Sequence, residues 1–334
     1  MAEPTIISRE DTNVLIPADQ QKEIVQGAIR NSVVLTRMRK LADLSSNTRT
    51  MPVLAMLPMA GFVNGDTGLK PTSKLAWKNK IIYAEEIAVI IPVPENVLDD
   101  AADNGYDIWG EVTPLVQQAF GQVIDNAIIF GKDKPSTWRK SLYDSIIEQG
   151  FKVTESGDLY ADILGENGVF GKVEESGYEV TGCLAGVRFK STLRGVRDEN
   201  KRPIFQSDMQ NTTRYALDGA PVTFSANGTW DNTKVKMIAG DLSQAVYAIR
   251  KDITAKVLTE SVITDSDGKV ILNLAQQDAV AMRFVMRLGW ELPNPINAEK
   301  PTEAERLPFA ALVPASASTP TEPEEGEEEG GGQT

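Results

Sequence analysis

Within residues 107–130, Ile108, Val112, Leu115, Ala119, Val123, Ala127 and Phe130 recur at spacings of three and four, and Gly131 follows. That is the period of one helical face with a stop residue behind it. The spacing predicts a helix whose core face is Ile108, Val112, Leu115, Ala119, Val123 and Ala127. Pro114 leaves two readings open: Asp107 caps a helix that kinks at Pro114, or Thr113 is the cap and Pro114 lies in the first turn. Even the shorter version is roughly 25 Å long at ~1.5 Å per residue. In a chain otherwise rich in strand patterns, such a helix acts as a spine.

Upstream, residues 51–83 exclude a second long helix. Pro52 and Pro58 interrupt an apolar run, glycines stand at 61, 65 and 68, and Lys70, Lys74, Lys78 and Lys80 follow with no acid among them. Two strands joined by an open tip fit this composition. A long two-stranded ribbon is not stable alone in water, so it needs a partner surface in this chain or another copy. The first fifty residues read as an arm. Asp19 can cap a helix carrying Ile24, Ala28 and Ile29, and Arg30, Arg37, Arg39, Lys40 and Arg49 face a single acid, Asp43. An amphipathic segment lying on its own or a neighbouring subunit is the first reading of that strip, and a basic face toward a polyanion the second.

Downstream of the arm, a strand is expected over 81–91, closed by Pro92 and Pro94, and a second helix over 136–149, stopped by Gly150. Residues 151–290 alternate strands and helices. Strands are expected at 221–225, 234–239, 245–249, 255–258 and 280–288. The last is striped, with Val280, Met282, Phe284, Met286 and Leu288 on one face. Beyond Pro314, Ser, Thr, Pro, Glu and Gly take over, and this acidic tail is expected to be disordered because it has little apolar surface to offset its ordering entropy.

Absences narrow the chemistry. With no histidine, Ser-His-Asp and Cys-His nucleophilic machinery and histidine metal ligation are gone. Cys183 is the one cysteine, so no intramolecular disulfide or zinc finger forms; among Val180, Leu184 and Val187 it reads as a small buried apolar residue. The segment from Gly165 to Lys172 is one residue too long for a phosphate-binding loop, and Val173 replaces the hydroxyl. The acid pairs Glu85-Glu86 and Asp99-Asp100 read as surface carboxylates before they read as a glycosidase-like pair. No catalytic residue, metal or cofactor is expected. Six of the net 13 negative charges are glutamates between Glu322 and Glu329, which leaves seven on the rest and disfavours a general nucleic-acid surface. The start has no apolar run of signal-peptide length, and the longest apolar stretch, 87–93, is far below the ~18 residues of a membrane span, so a soluble product made inside a cell is expected.

The order of segments carries a resemblance. Ile91-Pro92-Val93-Pro94-Glu95-Asn96-Val97-Leu98-Asp99-Asp100 is similar to the strand-to-helix junction of the major capsid proteins of tailed double-stranded DNA bacteriophages. Asp107-Ile108 and Asp125-Asn126-Ala127-Ile128 before Gly131 resemble the ends of that family's spine helix. Residues 193–203 resemble its axial helix and turn, although Asn200-Lys201-Arg202 replaces the usual glycine before the proline. Leu217-Asp218-Gly219-Ala220-Pro221-Val222, Ile238-Ala239-Gly240-Asp241-Leu242-Ser243 with Tyr247 and Ile249-Arg250, Gln277-Asp278-Ala279-Val280-Ala281-Met282-Arg283 and Pro308-Phe309-Ala310 follow in the family's order.

The resemblance implies an α+β, Hong Kong phage type capsid fold. Its parts are an N-terminal arm (1–50), an extended loop (51–83), a peripheral domain with the spine helix (84–150 and 236–313), an axial α/β domain (151–235) and the tail (314–334). It implies hexamers and pentamers closing an icosahedral shell, with inter-subunit contact through Lys70, Lys74, Trp77, Lys78 and Lys80 of the loop. The implied partners are a portal protein, packaged double-stranded DNA on the inner face and, on some shells, a decoration protein. The arm is short, which points to a separate scaffolding protein unless the chain is already processed. The loop lysines are candidate donors for the cross-links some relatives make, but nothing identifies an acceptor. The place implied is the virion, assembled in the bacterial host cytoplasm. Two alternatives stand beside this reading: an encapsulin-type compartment shell of the same fold, and an acid-pair hydrolase.

Overall fold

The computed structural model describes residues 28, 31–58, 60, 62, 72–103, 108–197, 215–250, 254–265 and 267–315. The expectations for Arg30, Lys70, Asp107 and the tail beyond Ala315 lie outside the described residues. In chain order the elements are β1 (Arg39–Lys40), β2 (Thr48–Met56), β3 (Ala76–Tyr83), β4 (Glu85–Pro94), α1 (Glu95–Asp103) and α2 (Ile108–Asp125). A π-helical turn (Asn126–Phe130), α3 (Leu142–Glu148), β5 (Lys152–Thr154), α4 (Leu159–Leu164), α5 (Val169–Glu175), β6 (Gly182–Gly186) and α6 (Phe189–Gly195) come next. The chain continues through β7 (Ala216–Leu217), β8 (Ala220–Ser225), β9 (Met237–Gly240), β10 (Val246–Ile249), β11 (Thr254–Leu258), β12 (Val262–Thr264) and β13 (Val270–Asn273). β14 (Ala279–Glu291) and β15 (Phe309–Val313) complete it.

Two sheets hold the molecule together. In the first, β14 is the centre: β4 runs antiparallel along one side, while β10 and β11 share the other and β1 adds in parallel to β10. Period-two alternation turns Met282, Phe284, Met286, Leu288 and Trp290 toward α2, where they join one core with Val112, Val116, Phe120, Ile124 and Ile128. Fully burying side chains of this size contributes roughly 1.5–3 kcal/mol each, whereas exposed ion pairs give about 1 kcal/mol or less, so this seam and not surface charge joins helix to sheet. The second sheet has the order β5-β15-β9-β6-β8-β7, and α4, α5 and α6 supply Ile163, Val173 and Leu193 to its separate core.

The structure departs from several expectations. Among the spine residues, Ile108, Val112 and Ala127 are buried, but Leu115 and Val123 are 63% and 45% exposed, and Ala119 is exposed too. Both rows of α2 are apolar, and the sheet takes the row with the bulkier side chains, Phe120 and Ile124, because it removes more area from water. The helix runs through Pro114, so Thr113 is not its cap. The strand expected over 81–91 breaks at Ala84, dividing between β3 and β4. Pro92 and Pro94 end β4 without disrupting it because, among the described residues, that strand pairs on one side only. The second helix is shorter than 136–149: Ser141 caps it by accepting the Asp144 N–H at 3.0 Å, and Trp138 is drawn off to donate to the Tyr83 carbonyl at 3.1 Å. The division at 235/236 does not follow the sheets, since β9 and β15 join strands of the 151–235 region.

The buried row makes a test. Ala127→Asp places an unpaired charge at a site 3% exposed and is expected to cost roughly 3–5 kcal/mol of subunit stability. Val123→Asp, on the exposed row, is expected to change subunit stability by about 0.5 kcal/mol or less. Urea unfolding of the two variants checks this, and equal losses would overturn the assignment of the buried row.

Candidate functional site

The β2–β3 ribbon has two unlike faces, set by its register. Val53 opposes Lys78, Met51 opposes Lys80 and Arg49 opposes Ile82, while Leu54 opposes Trp77 and Thr50 opposes Ile81. Directly opposed residues share a face. The first face turns inward: Val53 and Ile82 are buried, and Ile82 packs with Leu44, Val246 and Ala248. The second carries Trp77, Ile81 and Tyr83 at 62%, 39% and 36% exposure, beside Leu54 and Pro52. Lys74 is exposed as well.

Charge fixes the inward face. Lys78 and Lys80 donate to the two carboxylate oxygens of Glu303 at 2.6 and 2.7 Å. Partial burial alone would raise the Glu303 pKa, but both ammonium groups hold it down to about 2. Behind it lie Arg139 and Glu291, 3.5 Å apart, with the guanidinium 5.7 Å from the Trp290 ring centroid. Burial pushes the Glu291 carboxyl up against the pull of Arg139. Lys78 and Lys80, expected to reach another subunit, therefore have a partner in their own chain. Nothing in the sequence marked Glu303 as that partner, because it lies more than two hundred residues from the lysines and in no motif.

The arm also lies on its own chain. Val33, Val34, Leu35 and Met38 enter the main core. Arg39 and Lys40 keep their side chains exposed while the strand pairs with Val246 and Tyr247, Arg37 donates to Thr223 Oγ1 at 2.6 Å, and Lys40 pairs with Asp43 at 3.2 Å. What anchors the arm is Asp125, a fully buried carboxylate. It accepts from Ser32 Oγ at 2.6 Å, from the amides of Val33 and Val34 at 2.9 and 3.2 Å, and from Asn227 Nδ2 at 2.8 Å. Burial raises its pKa, and these hydrogen bonds oppose the rise. Gly121 lets the arm pass: a Cβ there would lie 3.0 Å from the Asn31 carbonyl carbon.

No catalytic arrangement emerges among the described residues. Glu85 accepts from Thr137 at 2.5 Å, whereas Glu86 pairs with Arg287 at 2.7 Å; as neighbours on a strand they point to opposite faces. Cys183 is buried in strand β6, and burial pushes its thiol up to about 12. Gly171 serves close packing rather than phosphate binding, since a Cβ would sit 2.2 Å from the Glu166 carbonyl. Among the described residues no acid–cysteine cluster suits a metal, and no helix is long and apolar enough to cross a membrane.

The model of the Phage capsid family matches residues 12–300. The chain belongs to the phage capsid family. This capsid protein shares 38% identity with a solved structure from Microbacterium phage Oxtober96, over 85% of this chain and 91% of that one, with a TM-score of 0.72. For Mycobacterium phage Bobi the identity is 31%, the coverage 93% and 99%, and the TM-score 0.71. A chain from the capsid of a native GTA particle, at 15% identity, 93% coverage of both chains and a TM-score of 0.58, shares the fold. No curated protein matches. The capsid protein is thus a structural component of a virion, with the α+β capsid fold of the Hong Kong phage type, and it associates with itself into shells.

Glu303→Gln tests the clamp on the ribbon. Because the folded pKa lies near 2 against 4.5 for a free carboxyl, the clamp is complete above about pH 4.5 and is lost as pH falls toward 2. Hydrogen exchange at residues 76–83 is expected to quicken roughly 1.5- to 5-fold in the variant at neutral pH. The variant should also lack the acid-dependent step at those amides that the parent shows. Unchanged exchange in both respects would refute the clamp.

Proposed function

We propose that this capsid protein assembles as hexamers and pentamers into an icosahedral phage head around double-stranded DNA, and that the outward face of the β2–β3 ribbon seals one subunit to the next. The observation that carries this is the exposure of Trp77, Ile81 and Tyr83 on one face of a ribbon whose other face is clamped to its own body. An apolar stripe presented on a fixed support is a surface that gains by being covered. Lys70 and Lys74 precede β3 in the sequence and can meet acids of the net-negative neighbour, each weakly, but repeated around a shell.

In this reading a separate scaffolding protein sets the shell's curvature and a portal protein occupies one vertex. DNA lies non-specifically on the inner face, a decoration protein can bind outside, and assembly takes place in the bacterial host cytoplasm. The chemistry is that of packing rather than catalysis. A phage head is supported over an enzyme-enclosing compartment by the phage origin of the relatives at 38% and 31% identity.

The double variant Trp77→Ser, Ile81→Ser tests the seal. Both side chains are exposed in the subunit, so circular dichroism and the melting curve are expected to stay close to those of the parent. Closed shells counted by negative-stain electron microscopy are expected to fall by on the order of tenfold or more, since the same lost contact recurs at every interface. Normal numbers of normal shells would sink the proposal.

A further inference from the structure

A groove of about 950 Å³ opens where the end of the spine meets the β6–α6 and β8–β9 connections. Phe130 and Trp230 form part of its wall, and Lys132, Arg188 and Lys234 stand around it with their side chains exposed. Asp231 is the one acid of the lining, and its Oδ1 is occupied by the amide and hydroxyl of Thr233 at 2.9 and 2.6 Å. In a chain of net charge −13 this is a local excess of positive charge.

The sheet brings the end of β15 to the same place. Leu312 pairs with Met237 in the antiparallel β9–β15 ladder, and the Lys236 amide donates to the Leu312 carbonyl at 2.8 Å. Lys236 follows directly on the turn Asp231–Val235, whose closing bonds run from the Lys234 and Val235 amides to the Asp231 carbonyl. The chain therefore leaves β15 beside the rim of the groove. Six residues separate Ala315 from Glu322, the first of six glutamates ending at Glu329. The seven Cα–Cα steps between them span ~25 Å at most, and the glutamates are carried onward from there.

We propose that the acidic segment Glu322–Glu329 docks in the Lys132–Arg188–Lys234 groove of its own chain. Each ion pair is weak because the cations are exposed. Tethering makes the encounter intramolecular, with an effective concentration in the millimolar range for a short linker, and several pairs act together. The segment then shields this basic patch from other polyanions, DNA included.

Zero-length carbodiimide cross-linking of the full-length chain, read by mass spectrometry, tests this. Lys132 and Lys234 are expected to join glutamates 322–329, while Lys74, which is not part of the groove lining, is not. The yield should drop on the order of tenfold as salt rises from low to near 1 M, where the screening length shrinks to ~3 Å. Arg188→Glu with Lys234→Glu should reduce the remaining Lys132 cross-link. In a mixture of isotope-labelled and unlabelled chains, the cross-links should stay within one isotope. Truncation after Ala315 should raise the acetylation rate of Lys132 and Lys234 several-fold relative to Lys74, with mutually screened pairs of this kind setting the scale. Glutamates joined only to other lysines, cross-links only between labelled and unlabelled chains, or lysines protected by added duplex DNA but not by the segment would each overturn the proposal.

Discussion

The buried carboxylate of Asp125 ties together regions that no shared strand connects. A carboxylate in an apolar row costs free energy unless its oxygens are satisfied, and here they are, by Ser32, Val33, Val34 and Asn227. Those donors come from the arm and from the connection after β8, so one side chain near the end of the spine registers the arm, the helix and the second sheet. The dependence runs both ways. Without Asp125, two buried arm amides and the Ser32 hydroxyl would lose their acceptor; without the arm, the carboxylate would lose three of the four donors that replace its hydration. This reciprocity explains why Ser32 and Val33–Leu35 sit deep in the structure although they belong to a segment rich in basic residues.

From that joint outward, the molecule divides into a part that holds shape and a part that offers surface. The seam between α2 and β14 is apolar and continuous, and the second sheet has a further core of its own. The ribbon is different: one face is bound to the body by Val53, Ile82 and the Glu303 clamp, and the other is left apolar and open. Clamping one face fixes the direction in which the other is presented. For a member of the phage capsid family the proposed role is such presentation, and the lack of histidine is no handicap to it.

Much of this was legible in the residues. The ribbon is legible in its prolines, glycines and lysines, the spine in its apolar period, and β14 in an alternation that the structure lengthens to Ala279–Glu291. The buried row of the spine is not legible in the sequence because Leu115, Ala119 and Val123 satisfy helical spacing as well as Val116, Phe120 and Ile124 do. Period alone cannot choose between two apolar rows; the sheet that packs on them chooses. Asp125 left a signal, an acid between Ile124 and Ala127 on what became the buried side, though its donors are about a hundred residues away in both directions. The pairing of Lys78 and Lys80 with Glu303 left none, because exposed ion pairs have no pattern in sequence.

In the proposed assembly, the ribbon's apolar face is a contact between subunits of the head. A cryo-electron microscopy reconstruction of the purified shell reads it most directly. Trp77 and Ile81 packed within about 4 Å of side chains from a neighbouring copy is the result this reading requires. Both residues facing solvent in every copy of the shell would contradict it.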